Sequence, residues 1–96
     1  MNKGYSDWQK TLLKEASKCT PRAIIRVVEM LDALQVEAST RKEGFFRFTT
    51  AEERIKAKAE IEKLVENGLI KSIGGTDYEL TIQGFEAAKL MESFAK

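Results

Sequence analysis

Residues 61–84 read Ile61-Glu62-Lys63-Leu64-Val65-Glu66-Asn67-Gly68-Leu69-Ile70-Lys71-Ser72-Ile73-Gly74-Gly75-Thr76-Asp77-Tyr78-Glu79-Leu80-Thr81-Ile82-Gln83-Gly84. Ile61, Leu64 and Val65 recur at helical spacing. Asn67-Gly68 supplies the stop, because glycine takes up the left-handed conformation of a C-cap without steric cost. Leu69 to Ile73 then reads as a strand and Gly74-Gly75-Thr76-Asp77 as a tight turn. Tyr78-Glu79-Leu80-Thr81-Ile82 alternates as the returning strand of a hairpin.

Upstream of this stretch, Thr49 and Thr50 each have a glutamate three residues later, Glu52 and Glu53, the signature of a helix start. No glycine or proline follows until Gly68. Ala57, Ile61, Leu64 and Val65 lie on one face, while Ala51, Ile55 and Ala59 point more than a quarter turn away. With no turn residue to divide it, the segment is expected to be one helix touching two surfaces rather than two short helices. Before it, Phe45-Phe46-Arg47-Phe48 is a short aromatic strand, and Ala38 to Gly44 is a polar loop.

Further toward the N-terminus, Thr20-Pro21 predicts the start of a helix running to about Glu37. Its Ala23, Ile24, Val27, Val28, Met30, Leu31 and Leu34 cover nearly half the circumference. Ser6 with Gln9 forms a capping box that opens a first helix, Asp7 to Lys18. Trp8, Leu12, Ala16 and Cys19 share one of its faces, and Lys10, Lys14 and Lys18 make a basic stripe on the other. Downstream of Gly84 a last helix carries Ala87, Leu90, Met91 and Phe94 together. The expected order is α-α-β-α-β-β-α. This is an α+β chain, mostly helical, with a small antiparallel sheet, forming one domain over residues 1–96.

A chain of 96 residues with 43% hydrophobic and 32% charged side chains suits a single globular domain with a modest core. Its formal net charge of +1 gives the whole molecule no strong pull toward nucleic acid or anionic lipid, so any such binding must rest on a local patch. The single cysteine, Cys19, leaves no intramolecular disulfide to form and points to a reducing compartment. The polar start from Met1 to Asp7 does not resemble a signal peptide, and no apolar run approaches the roughly 20 residues needed to span a bilayer, so a cytoplasmic location is expected.

An enzyme is the least expected class, and no metal or cofactor is expected. The chain has no histidine, the commonest general base and a frequent metal ligand, and Cys19 therefore has no imidazole partner. Gly74-Gly75 stands in a hairpin rather than before a helix, so it is not a phosphate loop.

The run from Ile61 to Ile70 resembles the end of a recognition helix entering a wing, and Tyr78-Glu79-Leu80-Thr81-Ile82-Gln83-Gly84 resembles the wing's return strand and exit. Over residues 45–96 the chain thus resembles the winged-helix (winged helix-turn-helix) regulators of bacteria, archaea, phages and plasmids. The resemblance implies a DNA-binding transcriptional regulator in which one helix enters the major groove of double-stranded DNA and the wing touches the backbone or minor groove. Its candidate DNA contacts are Arg41, Lys42 and Arg47 from the loop and strand, Arg54, Lys56, Lys58 and Lys63 from the third helix, and Lys71 on the wing, whose turn is Gly74, Gly75 and Thr76. Arg54, near the helix start, is the best placed for a base contact. Regulators of this kind pair their last helices, which here implies a homodimer through Leu90, Met91 and Phe94.

Charge pulls the other way. Residues 1–50 are net basic, and residues 51–96, with the supposed recognition helix, are net acidic. The competing reading is a protein-interaction module on the same scaffold, a phage- or plasmid-type accessory protein, for which the near-neutral charge and the aromatic cluster Phe45, Phe46 and Phe48 are suited.

Overall fold

The computed structural model describes residues 5–19, 22–39 and 42–94, with side chains as far as Met91. The elements are α1 (Asp7–Ser17), β1 (Ile24–Glu29), β2 (Leu34–Ala38), a 3-10 turn (Lys42–Gly44), β3 (Phe45–Phe48), α2 (Ala51–Glu66), β4 (Ile70–Gly74), β5 (Asp77–Leu80) and α3 (Ile82–Phe94). All strand pairings are antiparallel, in the order β3-β2-β1-β5-β4. The α+β class and the antiparallel sheet stand as expected, but the described residues hold three helices and five strands.

The main correction lies between residues 22 and 38, where the expected second helix is the β1–β2 hairpin. Ile24, Ile25, Val27 and Val28 are β-branched. Their side chains lose rotamer freedom in a helix and pack well on a pleated surface. Leu34-Gln35-Val36-Glu37-Ala38 alternates strictly, and Leu34, Val36 and Ala38 are all buried. The loop between the strands closes where the Met30 N–H donates to the Ala33 carbonyl at 2.7 Å. Thr20 and Pro21, the expected helix start, lie outside the described residues.

Register assigns each strand residue to a face. Ile25, Leu34, Val36, Ala38, Ile70 and Leu80 point to one side, where they form a single core cluster with Leu12, Leu13 and Ala16 of α1, Ala57, Ile61 and Leu64 of α2, and Ala88 and Met91 of α3. All three helices therefore cover the same face of the sheet. Segment 51–66 is one uninterrupted helix, begun by Thr50, whose hydroxyl accepts the Glu53 N–H at 3.1 Å. It carries the chain from β3 at one edge to β4 at the other. Its 16 residues give a length of about 24 Å, enough to cross the roughly 19 Å between outermost strands. The second apolar set, Ala51, Ile55 and Ala59, contacts no second surface and is exposed.

The capping box at Ser6 is present, with the Ser6 N–H donating to Gln9 Oε1 at 2.7 Å. It anchors α1 across α2: Trp8 Nε1 donates to Glu60 Oε1 at 2.6 Å, and the fully buried Gln9 donates from Nε2 to the Glu60 carbonyl at 2.8 Å. Trp8 also meets the edges of Phe46 and Phe48, at centroid distances of 5.5 and 5.1 Å.

The end of α2 packs against the start of α3. Gly68 has φ of 76°, the left-handed C-cap its sequence predicts. The Thr81 hydroxyl donates to the Gly68 carbonyl and accepts the Gly84 N–H at 3.0 Å, while the Thr81 N–H donates to the Leu69 carbonyl at 3.0 Å. Thr81 is thus the cap of α3, which starts at Ile82, before Gly84 rather than after it. A Cβ at Gly84 would overlap the Leu69 carbonyl oxygen and stand 2.9 Å from Leu80 Cγ. Only glycine lets α3 approach the end of α2 this closely.

Candidate functional site

The described helices all lie on one side, and none of them covers the other face of the sheet. Reading across the strands from β3 to β4, one cross-strand row is Phe45, Glu37, Arg26, Asp77 and then Ile73 near the β4 bulge. On one side of that row lie Arg47, Gln35 and Val28, and on the other Ser39, Ile24, Glu79 and Lys71, with Arg22 beyond.

Most charges on this face are paired across strands. Arg22 grips Glu79 with two hydrogen bonds, Nε to Oε2 at 3.2 Å and Nη2 to Oε1 at 3.1 Å. Arg26 Nε donates to Asp77 Oδ1 at 3.2 Å, and Arg47 Nη1 to Gln35 Oε1 at 3.0 Å. The hydrogen bonds from Arg22 hold the Glu79 carboxyl below its ordinary value, against the opposing effect of desolvation, with the charges of Arg22 and Lys71 adding to the lowering. The same contact raises Arg22.

Between the pairs stand apolar side chains. Phe45 is 45% and Ile73 38% exposed, and Ile24 and Val28 are half-buried. Arg22, Ile24, Arg26, Glu37, Ile73 and Asp77 border a shallow depression of about 350 Å³.

The residues expected to touch DNA do not gather on one surface. Arg47 and Lys71 stand on this open face but on its opposite edge strands, β3 and β4. Lys42 is exposed in the 3-10 turn, and Arg41 lies outside the described residues. Arg54, Lys56, Lys58 and Lys63 belong to α2, on the helical side. Arg54 points back to the carbonyls of Thr50 and Leu31, both at 3.4 Å, Lys58 pairs with Glu29 at 2.9 Å, and Lys63 Nζ lies 5.6 Å from the centroid of the Tyr5 ring. Opposite the buried Ala57, Ile61 and Leu64, the outermost ridge of α2 is Glu52, Ile55, Ala59, Glu62 and Glu66, all exposed. That ridge would meet a groove first, and it is acidic and apolar.

Gly75 and Thr76 form the exposed turn of the β4–β5 hairpin and Gly74 is the last residue of β4, with φ of 126° at Gly74 and 56° at Gly75. The Thr76 carbonyl is already taken by the Val27 N–H at 2.8 Å. Of the expected dimer residues, Leu90 is exposed, but Met91 is only 3% exposed and belongs to the chain's own core, which removes it from any interface; the Phe94 side chain lies outside the described residues.

Among the described residues no group of three or more Cys, Asp or Glu side chains is placed to hold a metal ion, and no helix is long and apolar enough to cross a membrane. The Cys19 thiol lies 3.5 Å from the Glu15 carbonyl and 3.7 Å from that of Ala38. Comparison with known proteins finds no matching family model, no similar curated protein and no similar solved structure.

Proposed function

We propose that this chain is a protein-interaction module that docks the surface of a folded protein on its uncovered sheet face. The observation that carries this reading is the one-sided covering of a five-stranded sheet, which leaves an apolar and charged face with none of the described helices over it. Phe45 and Ile73 stand at opposite ends of the central row as apolar anchors, and the depression beside Ile73 offers a partner side chain a place to enter.

Charge favours a protein over a nucleic acid. The cations Arg22, Arg26, Arg47 and Lys71 face the carboxylates Glu37, Asp77 and Glu79, and two ion pairs already spend Arg22 and Arg26 on acids. A polyanion needs unspent cations at phosphate spacing. A protein surface of mixed charge needs the alternating pattern found here. The succession of α2, β4 and β5 supports the likeness to a winged helix over residues 51–80, with a single helix standing where a helix-turn-helix would have two. A cytoplasmic location, expected from the single cysteine, suits the module.

A photo-cross-linking amino acid in place of Phe45, compared with the same residue in place of Ile55 on α2, tests the proposal. An adduct of defined mass with one protein, formed from position 45 and not from position 55, is the expected result. Adducts from position 55 alone would sink it. So would steeply salt-dependent binding to duplex DNA that Lys56→Ala with Lys58→Ala makes shallower, the behaviour of groove binding through α2.

A further inference from the structure

Helix α3 presents a second surface, remote from the open sheet face. It buries Gly84, Ala88 and Met91 inward. Outward it turns Ile82 at 76%, Phe85 at 41% and Leu90 at 54% exposure, three large apolar side chains on one 13-residue helix. The outer ridge runs Ile82, Glu86, Lys89, a spacing of four and three that keeps one line along the helix, with Phe85 and Leu90 flanking it on either side. Glu86 and Lys89 are exposed and have no ion-pair partner among the described residues.

This arrangement is complementary to itself. When two copies of α3 lie antiparallel about a two-fold axis midway between Glu86 and Lys89, each Glu86 falls at the level of the other copy's Lys89. Phe85 then shares one flank with the other copy's Phe85, and Leu90 shares the opposite flank with the other copy's Leu90. The Glu86–Lys89 match occurs twice, as a two-fold interface requires. A parallel arrangement would set Glu86 against Glu86 and Lys89 against Lys89, so charge selects both direction and register. A hollow of about 390 Å³ beside Phe85, bounded by Ser17 at the end of α1 and by Glu86 and Lys89, leaves room for the opposing Phe85.

We infer that the chain associates with a second copy of itself through antiparallel α3 helices, with reciprocal Glu86–Lys89 pairs at the centre and Phe85 and Leu90 closing over them from the flanks. The residues differ from those the sequence singled out, sharing only Leu90. One pair of helices this short covers less than the roughly 1,600 Å² of a standard interface, so the association is a reversible equilibrium with a dissociation constant on the order of micromolar.

Sedimentation equilibrium over a hundredfold range of concentration, with Glu86→Lys, Lys89→Glu and the double exchange, tests the inference. Each single reversal places like charges together twice and is expected to weaken the dimer about tenfold, while the double exchange restores it. Both side chains are exposed, so circular dichroism of all three variants should match the parent. A monomer at every concentration, or single and double variants that behave alike, would overturn the inference. Loss of the dimer on Phe45→Ala would overturn it too, by moving the contact to the sheet. An unchanged dimer in that variant keeps the two surfaces separate.

Discussion

Two residues show how much can depend on one position. Gly84 lies where α3 passes the end of α2, and a single added methyl would collide with the Leu69 carbonyl, which already accepts the Thr81 N–H. Because the obstacle is backbone, Gly84→Ala is expected to cost at least about 2 kcal/mol despite alanine's better helix propensity, measured by urea unfolding. An unchanged midpoint would mean that α3 does not approach so closely. Glu79 makes a different prediction. Its carboxyl titrates below the ordinary glutamate value because Arg22 donates two hydrogen bonds to it. A carboxyl lowered by folding stabilises the native state fully above its unfolded value. That contribution is lost as pH falls through the lowered one. Carbon-detected NMR titration should therefore find Glu79 below the ordinary glutamate value, and Arg22→Ala should raise it. Gly68 and Gly84 could be singled out from the sequence because glycine marks a backbone need. Glu60, which ties Trp8 and Gln9 to α2, could not, since an acceptor on a charged helix looks like any solvated glutamate.

At the scale of elements, α1, α2, β3 and the β4–β5 hairpin were legible because each has a cap, a glycine or a clear period. The β1–β2 hairpin was not. Its turn, Met30-Leu31-Asp32-Ala33, has neither glycine nor proline, and Ile24, Val27, Val28, Leu31 and Leu34 happen to recur at helical spacing. Two signals stood against the helix: four β-branched residues within Ile24–Val28, and the strict alternation of Leu34 to Ala38. Losing that hairpin also hid the open face, since its centre is Arg26 and Glu37, and the face becomes visible only once β1 is placed beside β5. Glu37 gives a test by sign. On the open face of β2, Glu37→Thr exchanges a poor strand former for a good one and is expected to raise stability by about 0.5 kcal/mol. In a helix the same change would lower it by a similar amount. Urea unfolding decides between them, and a fall would contradict the hairpin.

Over the whole molecule, chain order and sheet order disagree in a way that binds the two halves together. β1 pairs with β2 on one side and with β5 on the other, so residues around Arg26 lie beside Asp77 although 51 positions separate them. α2 must cross the helical face to make this possible, and α1 lies across α2 through Trp8, Gln9 and Glu60. Neither the first three strands nor the last two close the core alone. Ile25, Leu34 and Val36 come from one half and Ile61, Leu64, Ile70 and Leu80 from the other. Unfolding is therefore expected to be all-or-none. Trp8, the single tryptophan, reports on the junction of α1, α2 and β3, whereas far-ultraviolet circular dichroism reports on every element. Their urea transitions should coincide. Gly84→Ala, on the other side of the core from Trp8, should shift both to the same lower midpoint. If the tryptophan signal kept its midpoint while the dichroism moved, α3 and the hairpin would be a separately melting unit, and the shared core would have to be divided.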